Sequence, residues 1–384
     1  MAERVLHLIF YGDPNGYPPI INCVRSLAQD GWRISLVCRD ARTHPDVVFP
    51  DSVTVIRAPS DASHRWREYL SFTWKALRLT PSDASVVAGH DMHGLVPAAL
   101  ASVLRSLPLV YHCHDYSELK RKLPAGSAVV KRLERLFARK AALTIVPDSR
   151  RAEVVARELR LRRPPFVLPN SPPRSSIPKE AALRRTLATV GIRFEKILLR
   201  QGRIGPNHGI EATIRSMPQW ADRRWGFVLI GPSKPAFIGE LDALSKELGV
   251  HDRFVVMPPI SYDEILSYTL DGNLGHALYE PSNINHVEMG TASNKVLEYM
   301  ASGVPCLVST SSSAASLVAS FECGVAADPS NPEDIARAIN SVFLEHEVSK
   351  RMATAGQRAF QDHLCYEVRF RELAQQMDNV ASLR

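Results

Sequence analysis

The chain has 384 residues, 45% hydrophobic and 23% charged, a composition that suits a globular protein of two ordinary domains and excludes a disordered chain. Lys and Arg number 47 against 40 Asp and Glu, a formal charge of +7 that suits an anionic partner such as phosphates or acidic lipid. Six scattered cysteines with no Cys-x-x-Cys exclude a zinc ribbon or disulfide framework and point to a reducing compartment.

In chain order, apolar runs read as strands at Val5–Phe10, Ile34–Cys38, Val53–Ala58, Ser85–Ala88, Leu109–His112 and Leu143–Val146. Stretches with helical spacing lie between most of them, such as Ile20–Gln29, Trp66–Leu77, Leu95–Leu104 and Ala128–Lys140. This alternation predicts a parallel sheet covered by helices. From Arg163 to Pro178, six prolines mark an extended crossing or linker. The alternation then restarts, with strands at Ile197–Arg200, Phe227–Ile230, Phe254–Met257, Asn273–Ala277 and Cys306–Ser309. The tail from about Glu347 to Val380 reads as helix with no strand after it. Two doubly wound α/β domains of similar size are expected. The start lacks the charged-then-apolar pattern of a secretion signal, and the longest apolar stretch, Gly94 to Leu104, is too short to span a bilayer. The expected location is cytoplasmic.

In doubly wound sheets, ligands bind beyond the carboxyl ends of the strands. The first such loop, Gly12-Asp-Pro-Asn-Gly16, has two glycines that allow close backbone approach. His90 and Asp91 follow the fourth strand, and Asp91 reads equally as a cap of the next helix. His114 and Asp115 follow the fifth, with Glu118 shortly after. His114 is suited to hydrogen-bond a ligand hydroxyl or carry a proton, and Asp115 to orient it or to support the loop. Alternation puts His112 on the same face as His114. A zinc site from His112, Cys113 and His114 lacks a second ligand cluster. In the second half, Arg203 and His208 sit in Gln201-Gly-Arg-Ile-Gly-Pro-Asn-His-Gly-Ile210. A guanidinium there can bridge two phosphate oxygens, or it is simply a surface charge at a strand end.

The strongest run is Ser293-Asn-Lys-Val-Leu-Glu-Tyr-Met-Ala-Ser-Gly-Val-Pro-Cys-Leu-Val-Ser309: a capped helix, a turn and a buried strand. Ser293 is the expected N-cap, and the first turn offers free N–H groups to an anion. Glu298, about one turn further in, suits two ribose hydroxyls. The plain alternative is an ordinary helix with a surface Glu. Between residues 119 and 151, Lys120, Arg121, Lys122, Lys131, Arg132, Arg135, Arg139, Lys140, Arg150 and Arg151 face only Glu134 and Asp148. That segment reads as a face for anionic lipid or as a solvated basic face over a core stripe. Nucleic acid is not an expected partner, since no basic groove interleaved with aromatics is apparent. No Asp-x-Asp, no P-loop motif and no Gly-x-Gly-x-x-Gly after the first strand occurs.

Glu298-Tyr-Met-Ala-Ser-Gly-Val-Pro305 resembles the donor-site signature of GT-B glycosyltransferases, specifically the large retaining family 4. The segment 201–210, Phe227-Val-Leu-Ile-Gly-Pro232, Cys323-Gly-Val-Ala-Ala-Asp-Pro329, Tyr111-His-Cys-His-Asp-Tyr-Ser-Glu118 and Val167-Leu-Pro-Asn170 are similar to further blocks of that family, in its order. The resemblance implies two Rossmann-like domains facing across a cleft. Residues 1–170 would bind the acceptor, 171–362 the nucleotide-sugar, and 363–384 would form a helix crossing back. It implies retaining transfer of a sugar from a UDP- or GDP-sugar to a hydroxyl acceptor, in polysaccharide or glycoconjugate biosynthesis. The nucleotide-sugar is a co-substrate, with no cofactor and no essential metal. The acceptor would be a sugar, a lipid-linked molecule or a small metabolite, which suits a peripheral place on the inner membrane face.

By the same resemblance, Gly12, Gly16, Arg203, His208, Gly290, Ser293, Asn294, Lys295 and Glu298 are donor-site residues. His114, Asp115 and Arg203 are the catalytic set, and His90, Asp91 and Glu118 lie on the acceptor side. Two positions depart from the family. The first Glu of its Glu-x7-Glu motif is Gly290 here, with Glu288 and Glu280 out of register. A related branch lacks that Glu and carries Asn-Lys before the second one, as Asn294-Lys295 does. The usual phosphate lysine is His208, which implies weaker or pH-dependent diphosphate binding with Lys295 as a substitute. Two rival readings are a GT-B nucleotide-sugar epimerase and a non-catalytic scaffold subunit of the same fold.

Overall fold

The computed structural model describes residues 3–59, 65–118 and 124–384. They fall into two compact units, Met1–Pro169 with Arg369–Arg384, and Asn170–Val368.

In the first unit, β1 (Val5–Phe10), β2 (Arg33–Arg39), β3 (Val53–Ala58), β4 (Val86–His90), β5 (Leu109–His112), β6 (Leu143–Val146) and β7 (Phe166–Val167) form one sheet. Its order is β3-β2-β1-β4-β5-β6-β7, and every pair is parallel. All six residues of β1 are buried, as a parallel strand covered on both faces requires. The helices α1 (Pro18–Gln29), α2 (Arg65–Arg78), α3 (Asp91–Arg105), α4 (Ala125–Ala138) and α5 (Ser149–Leu159) make the crossovers. Strand order reverses between β1 and β4, the usual place for a ligand in such a sheet. Phe10 pairs with His90 and His90 with His112, so three strands end level there.

The sheet holds α3 tightly. A Cβ on Gly94 would lie 2.4 Å from the Ile9 carbonyl oxygen, so only glycine lets the helix approach β1 this closely. Pro97, inside α3, cannot donate to the His93 carbonyl one turn back. The Tyr69 hydroxyl of α2 donates to that oxygen instead, at 3.0 Å. Strand β7 lies in the proline-rich stretch expected to be a linker. Phe166 and Val167 pair with Ile145 and Val146, while the flanking prolines hold the strand to two residues.

The second unit opens with α6 (Leu183–Thr189) and repeats the plan. Its strands are β8 (Lys196–Gln201), β9 (Trp225–Ile230), β10 (Phe254–Met257), β11 (Leu274–Ala277), β12 (Cys306–Ser309) and β13 (Gly324–Ala327), in the order β10-β9-β8-β11-β12-β13. The helices are α7 (Ile210–Ser216), α8 (Pro235–Glu247), α9 (Tyr262–Thr269), α10 (Ile284–Val287), α11 (Asn294–Ala301), α12 (Ser313–Ser320), α13 (Pro332–Leu344) and α14 (His346–Ala359), while α15 (Tyr366–Ala381) starts in this unit and runs mostly in the first. The main core joins Phe227 and Leu229 of β9 to Ile210, Ile214, Leu241, Ile335 and Ile339 of the covering helices. The sequence pattern does not mark β13, an edge strand of small residues that is only partly buried.

The expected helical tail is interrupted. A π-helical turn, Phe360–Leu364, separates α14 from α15. Ser171 Oγ donates to the Leu364 carbonyl and Arg174 to that of Gln361, which satisfies oxygens the turn frees. Among the described residues, no helix is long and apolar enough to cross a membrane.

Candidate active site

The structure gathers the candidate residues into two groups, one at the switch point of each sheet. In the first unit, His90 ends β4 and His112 ends β5. His114 lies just beyond, and the rings of His112 and His114 are 3.8 Å apart, as their shared face predicts. His90 Nδ1 lies 3.0 Å from His114 Nε2 in a buried hydrogen bond. Neither ring nitrogen of buried His112 has a partner. Burial pushes His90 down to about 3, and lowers His112 too, helped by its two histidine neighbours. Both rings are therefore neutral at physiological pH.

His90 completes a cluster that adjacent positions in sequence cannot show. Ring nitrogens of His90, His112 and His114 lie within 4.8 Å of one another, and this is the group among the described residues that could hold a metal ion. Cys113, weighed as a ligand from sequence, is buried, and its thiol is pushed up by burial first and then by the Glu134 and Asp91 charges.

Asp91 does not cap α3. It opens that helix with a left-handed φ of 53°, and its carboxylate turns to the next loop. Oδ1 accepts the backbone N–H groups of His114 and Asp115 at 2.9 and 3.1 Å, and Oδ2 accepts the Tyr17 hydroxyl at 3.1 Å. Burial and the nearby Asp115 charge raise Asp91 to about 7. Asp115 itself is exposed, 3.4 Å from the Tyr17 hydroxyl. Glu118 is half-buried at the end of the described part of this loop. Tyr17 was not singled out from sequence, and Arg151, expected only on a basic face, has a buried guanidinium that donates to the His114 carbonyl at 2.5 Å.

Arg151 therefore leaves the basic face expected over 119–151, and so does Lys131. Lys131 is buried, 2.6 Å from Glu134 and 3.6 Å from the Tyr116 ring centre. Arg151 is drawn inward by a backbone carbonyl that a charge count does not see, and Lys131 by Glu134, whose burial the count does not show. Lys120, Arg121 and Lys122 lie outside the described residues.

Gly12 and Gly16 also belong to the first unit. A Cβ on Gly12 would strike the Phe10 ring at 2.5 Å, and one on Gly16 the His44 ring. Internal packing accounts for both glycines.

The second group surrounds the ends of β8 and β11 and the start of α11. Ser293 caps α11, its Oγ accepting from Val296 N at 3.4 Å. Gly290 N donates to Ser313 Oγ at 2.9 Å, and buried Asn294 Oδ1 has no partner. Glu298 is 4% exposed, and its Oε2 accepts from Gln201 Nε2 at 2.5 Å. Gln201 is fixed in turn by Thr269 Oγ1 at 2.7 Å. Burial pushes the Glu298 carboxyl up, against the Gln201 hydrogen bond and the Lys295 charge. The expected surface alternative for Glu298 does not hold.

Three cations share this region. Lys295 donates to the Tyr279 hydroxyl at 2.6 Å, and its Nζ reaches the Gly202 turn. Arg200 is fully buried in β8, with Nη1 3.0 Å from His276 Nδ1 and the guanidinium 4.8 Å from the Tyr279 ring centre. Its Nε and Nη2 have no partner. Arg203 is exposed beyond β8. Among the described residues, none of the three forms an ion pair with a carboxylate. Burial would raise Tyr279, but Lys295 and Arg200 outweigh it and bring the phenol to about 8.

His208 packs its ring 4.8 Å from that of Tyr279. Burial lowers its pKa, helped by Arg200, Lys295, His286 and Arg203. A neutral His208 adds no charge for phosphate, and Arg200 supplies a cation that the motif comparison missed. The available signal was a charged residue within the apolar run Ile197-Leu-Leu-Arg200.

Two doubly wound units in one chain, each with a polar cluster at its strand ends, are the architecture of the GT-B fold. A family model described as "Glycosyl transferases group 1" matches residues 192–359, and one described as "Glycosyl transferase 4-like domain" matches residues 22–171. The chain belongs to this group of glycosyltransferases. Among solved structures, it is similar to HepE of Anabaena in complex with UDP and glucose, at 15% identity and a TM-score of 0.76, over 98% of this chain and 100% of that one. It is also similar to sucrose-phosphate synthase of Thermosynechococcus elongatus, at 16% identity and TM-score 0.74 over 100% of both chains. A glycosyltransferase of Rickettsia africae gives 11% identity and TM-score 0.75 over 99% of both. At these identities the likeness is one of fold. No curated protein matches the sequence.

Proposed function

We propose that the protein transfers a hexose from a nucleotide-diphosphate sugar to a hydroxyl acceptor, with retention at the anomeric carbon and without an essential metal. One observation carries the reading: Arg200, Arg203 and Lys295 gather at the strand ends of the second unit with no paired carboxylate among the described residues. The uncompensated charge of buried Arg200 is costly, and a diphosphate beside it, half-buried Lys295 and exposed Arg203 is the ligand that compensates it. The second unit is the donor side. Arg203 and Lys295, with the N-terminus of α11, stabilise the leaving diphosphate as charge develops. Glu298 binds the ribose, after exchanging or sharing its Gln201 hydrogen bond. UDP is the favoured nucleotide, as in the HepE complex, and GDP the second choice.

The first unit is the acceptor side. His114 contacts the sugar or acceptor hydroxyl there, and Asp91 and Tyr17 hold its loop in place. The product enters polysaccharide or glycoconjugate synthesis at the inner face of a membrane, with the basic face of 119–151 toward anionic lipid. Incubation of the full chain with UDP-glucose or GDP-mannose in EDTA, followed by proton NMR, tests the chemistry. Slow donor hydrolysis that first releases the α-anomer of the hexose is expected. First release of the β-anomer would overturn retention, and turnover only after divalent metal is restored would overturn metal independence.

A further inference from the structure

We infer that α2, α3 and α4 form one lipid-facing surface that docks the protein on an anionic membrane, with Trp66, Leu70 and Trp74 placed among the headgroups. The apolar part of the contact then extends from α4 onto the end of α3 and α2, beyond the segment 119–151.

Helix α3 packs between α2 and α4. On α2, Trp66, Leu70 and Trp74 recur every fourth residue, which aligns them along one face. They are 61%, 58% and 60% exposed. On α3, Leu100, Val103 and Leu104 are exposed, and on α4, Val129 and Leu136. These eight are most of the thirteen large hydrophobic residues found exposed among the described residues. Scattered single exposures need no explanation, but a cluster across three adjacent helices does.

Charge selects lipid as the occupant. Arg67, Arg78, Arg105, Arg132, Arg139 and Lys140 are exposed on or at the ends of these helices. Their acidic residues do not face out. Glu68 is buried 2.7 Å from Arg39, Glu134 is buried against Lys131, and half-buried Asp91 holds the loop after β5. Arginine also stacks on the exposed rings, Arg67 5.3 Å from the Trp66 centre and Arg78 4.4 Å from that of Trp74. Indole with a guanidinium beside it suits the headgroup layer, the ring resting on acyl chains and the cation on phosphate. The inference rests on the proposed function for the basic face of 119–151, to which α4 belongs, and extends it to α2 and α3.

Co-sedimentation with vesicles of phosphatidylcholine and phosphatidylglycerol tests it, against phosphatidylcholine alone. The other tryptophans, Trp32, Trp220 and Trp225, are buried, so a fluorescence blue shift on binding reports Trp66 and Trp74. Binding to the anionic vesicles with a blue shift is expected. Joint W66S, L70S and W74S substitution should weaken it by about tenfold or more, and R132Q with R139Q by on the order of tenfold to a hundredfold. The W66F, W74F variant should still bind without the shift. Absence of sedimentation, equal binding to neutral vesicles, or a blue shift caused by self-association without vesicles would overturn the inference. UDP titration of the same variants separates the two proposals. Vesicle binding without UDP binding sinks the donor assignment alone, and UDP binding without vesicle binding sinks the surface alone.

Discussion

Tyr279 carries the most specific residue-scale prediction. Lys295 and Arg200 favour its phenolate, so the phenol titrates at about 8. The folded pKa lies below the ordinary value of about 10. Its ionisation therefore adds stability that is complete above about pH 10 and is lost as pH falls through about 8. An ultraviolet titration should show one tyrosine ionising near pH 8. That step should vanish in Tyr279→Phe and move upward in Lys295→Met. A first tyrosine step near pH 10 in the parent protein would contradict the Lys295 contact. His112 gives a second prediction. Its two buried nitrogens have no partner, so His112→Phe removes a desolvation cost and should leave stability equal or higher. His114→Phe strips His90 of its hydrogen bond and should cost about 1–3 kcal/mol in denaturant unfolding. Much of this chemistry was legible in the sequence. Glu298, Arg203 and His114 were named from the sequence because they sit at fixed offsets from turns and strand ends and match the family's motifs, and Lys295 through the family resemblance alone. Tyr17, His276 and Tyr279 were not, because their partners come from remote strands. Arg151 and Lys131 were misplaced because charge counting shows neither the backbone acceptor of Arg151 nor the burial of Glu134 beside Lys131.

At the scale of elements, the loops after the strands depend on close backbone approach. Gly231 has φ 148°, and a Cβ there would lie 2.1 Å from the Gly202 carbonyl oxygen. The Gly202 turn also faces Lys295. Gly231→Ala should cost about 1–3 kcal/mol or more, with the melting midpoint dropping about 2–4 °C for each kcal/mol. Nucleotide affinity should fall with it, since the shifted turn carries Arg203. Unchanged melting would show that the turn relaxes freely. Element prediction worked where an apolar run marks the strand, whether of four residues or six. Strands β1, β3, β5 and β6 begin and end where the pattern places them. It failed at β7, where prolines mask a two-residue strand, and at β13, where small residues leave no apolar run. The π turn at Phe360–Leu364 has no local signal, because side chains from Ser171 and Arg174 satisfy it.

The whole molecule buries several neutral histidines: His7, His90 and His112 in the first unit and His276 in the second. Burial lowers all four, His7 to about 4 and His90 to about 3. Unfolded histidine titrates near 6.5, so the unfolded chain binds more protons below that pH and stability falls as pH drops. Each group adds a slope of about 1.4 kcal/mol per pH unit between its two values. The melting midpoint should therefore fall steeply between about pH 6 and pH 4, and a flat profile there would contradict the buried cluster. At this scale the sequence motifs and the two family models agree on a two-unit glycosyltransferase, while donor and acceptor depend on side chains that no motif specifies. The most direct test of the donor site is calorimetric titration with UDP and with GDP, on the parent protein and on Glu298→Ala. The account predicts that one nucleotide binds and that the substitution weakens it by about 1–3 kcal/mol. Failure of both nucleotides to bind at millimolar concentration would contradict the donor site and favour a non-catalytic subunit of the same fold.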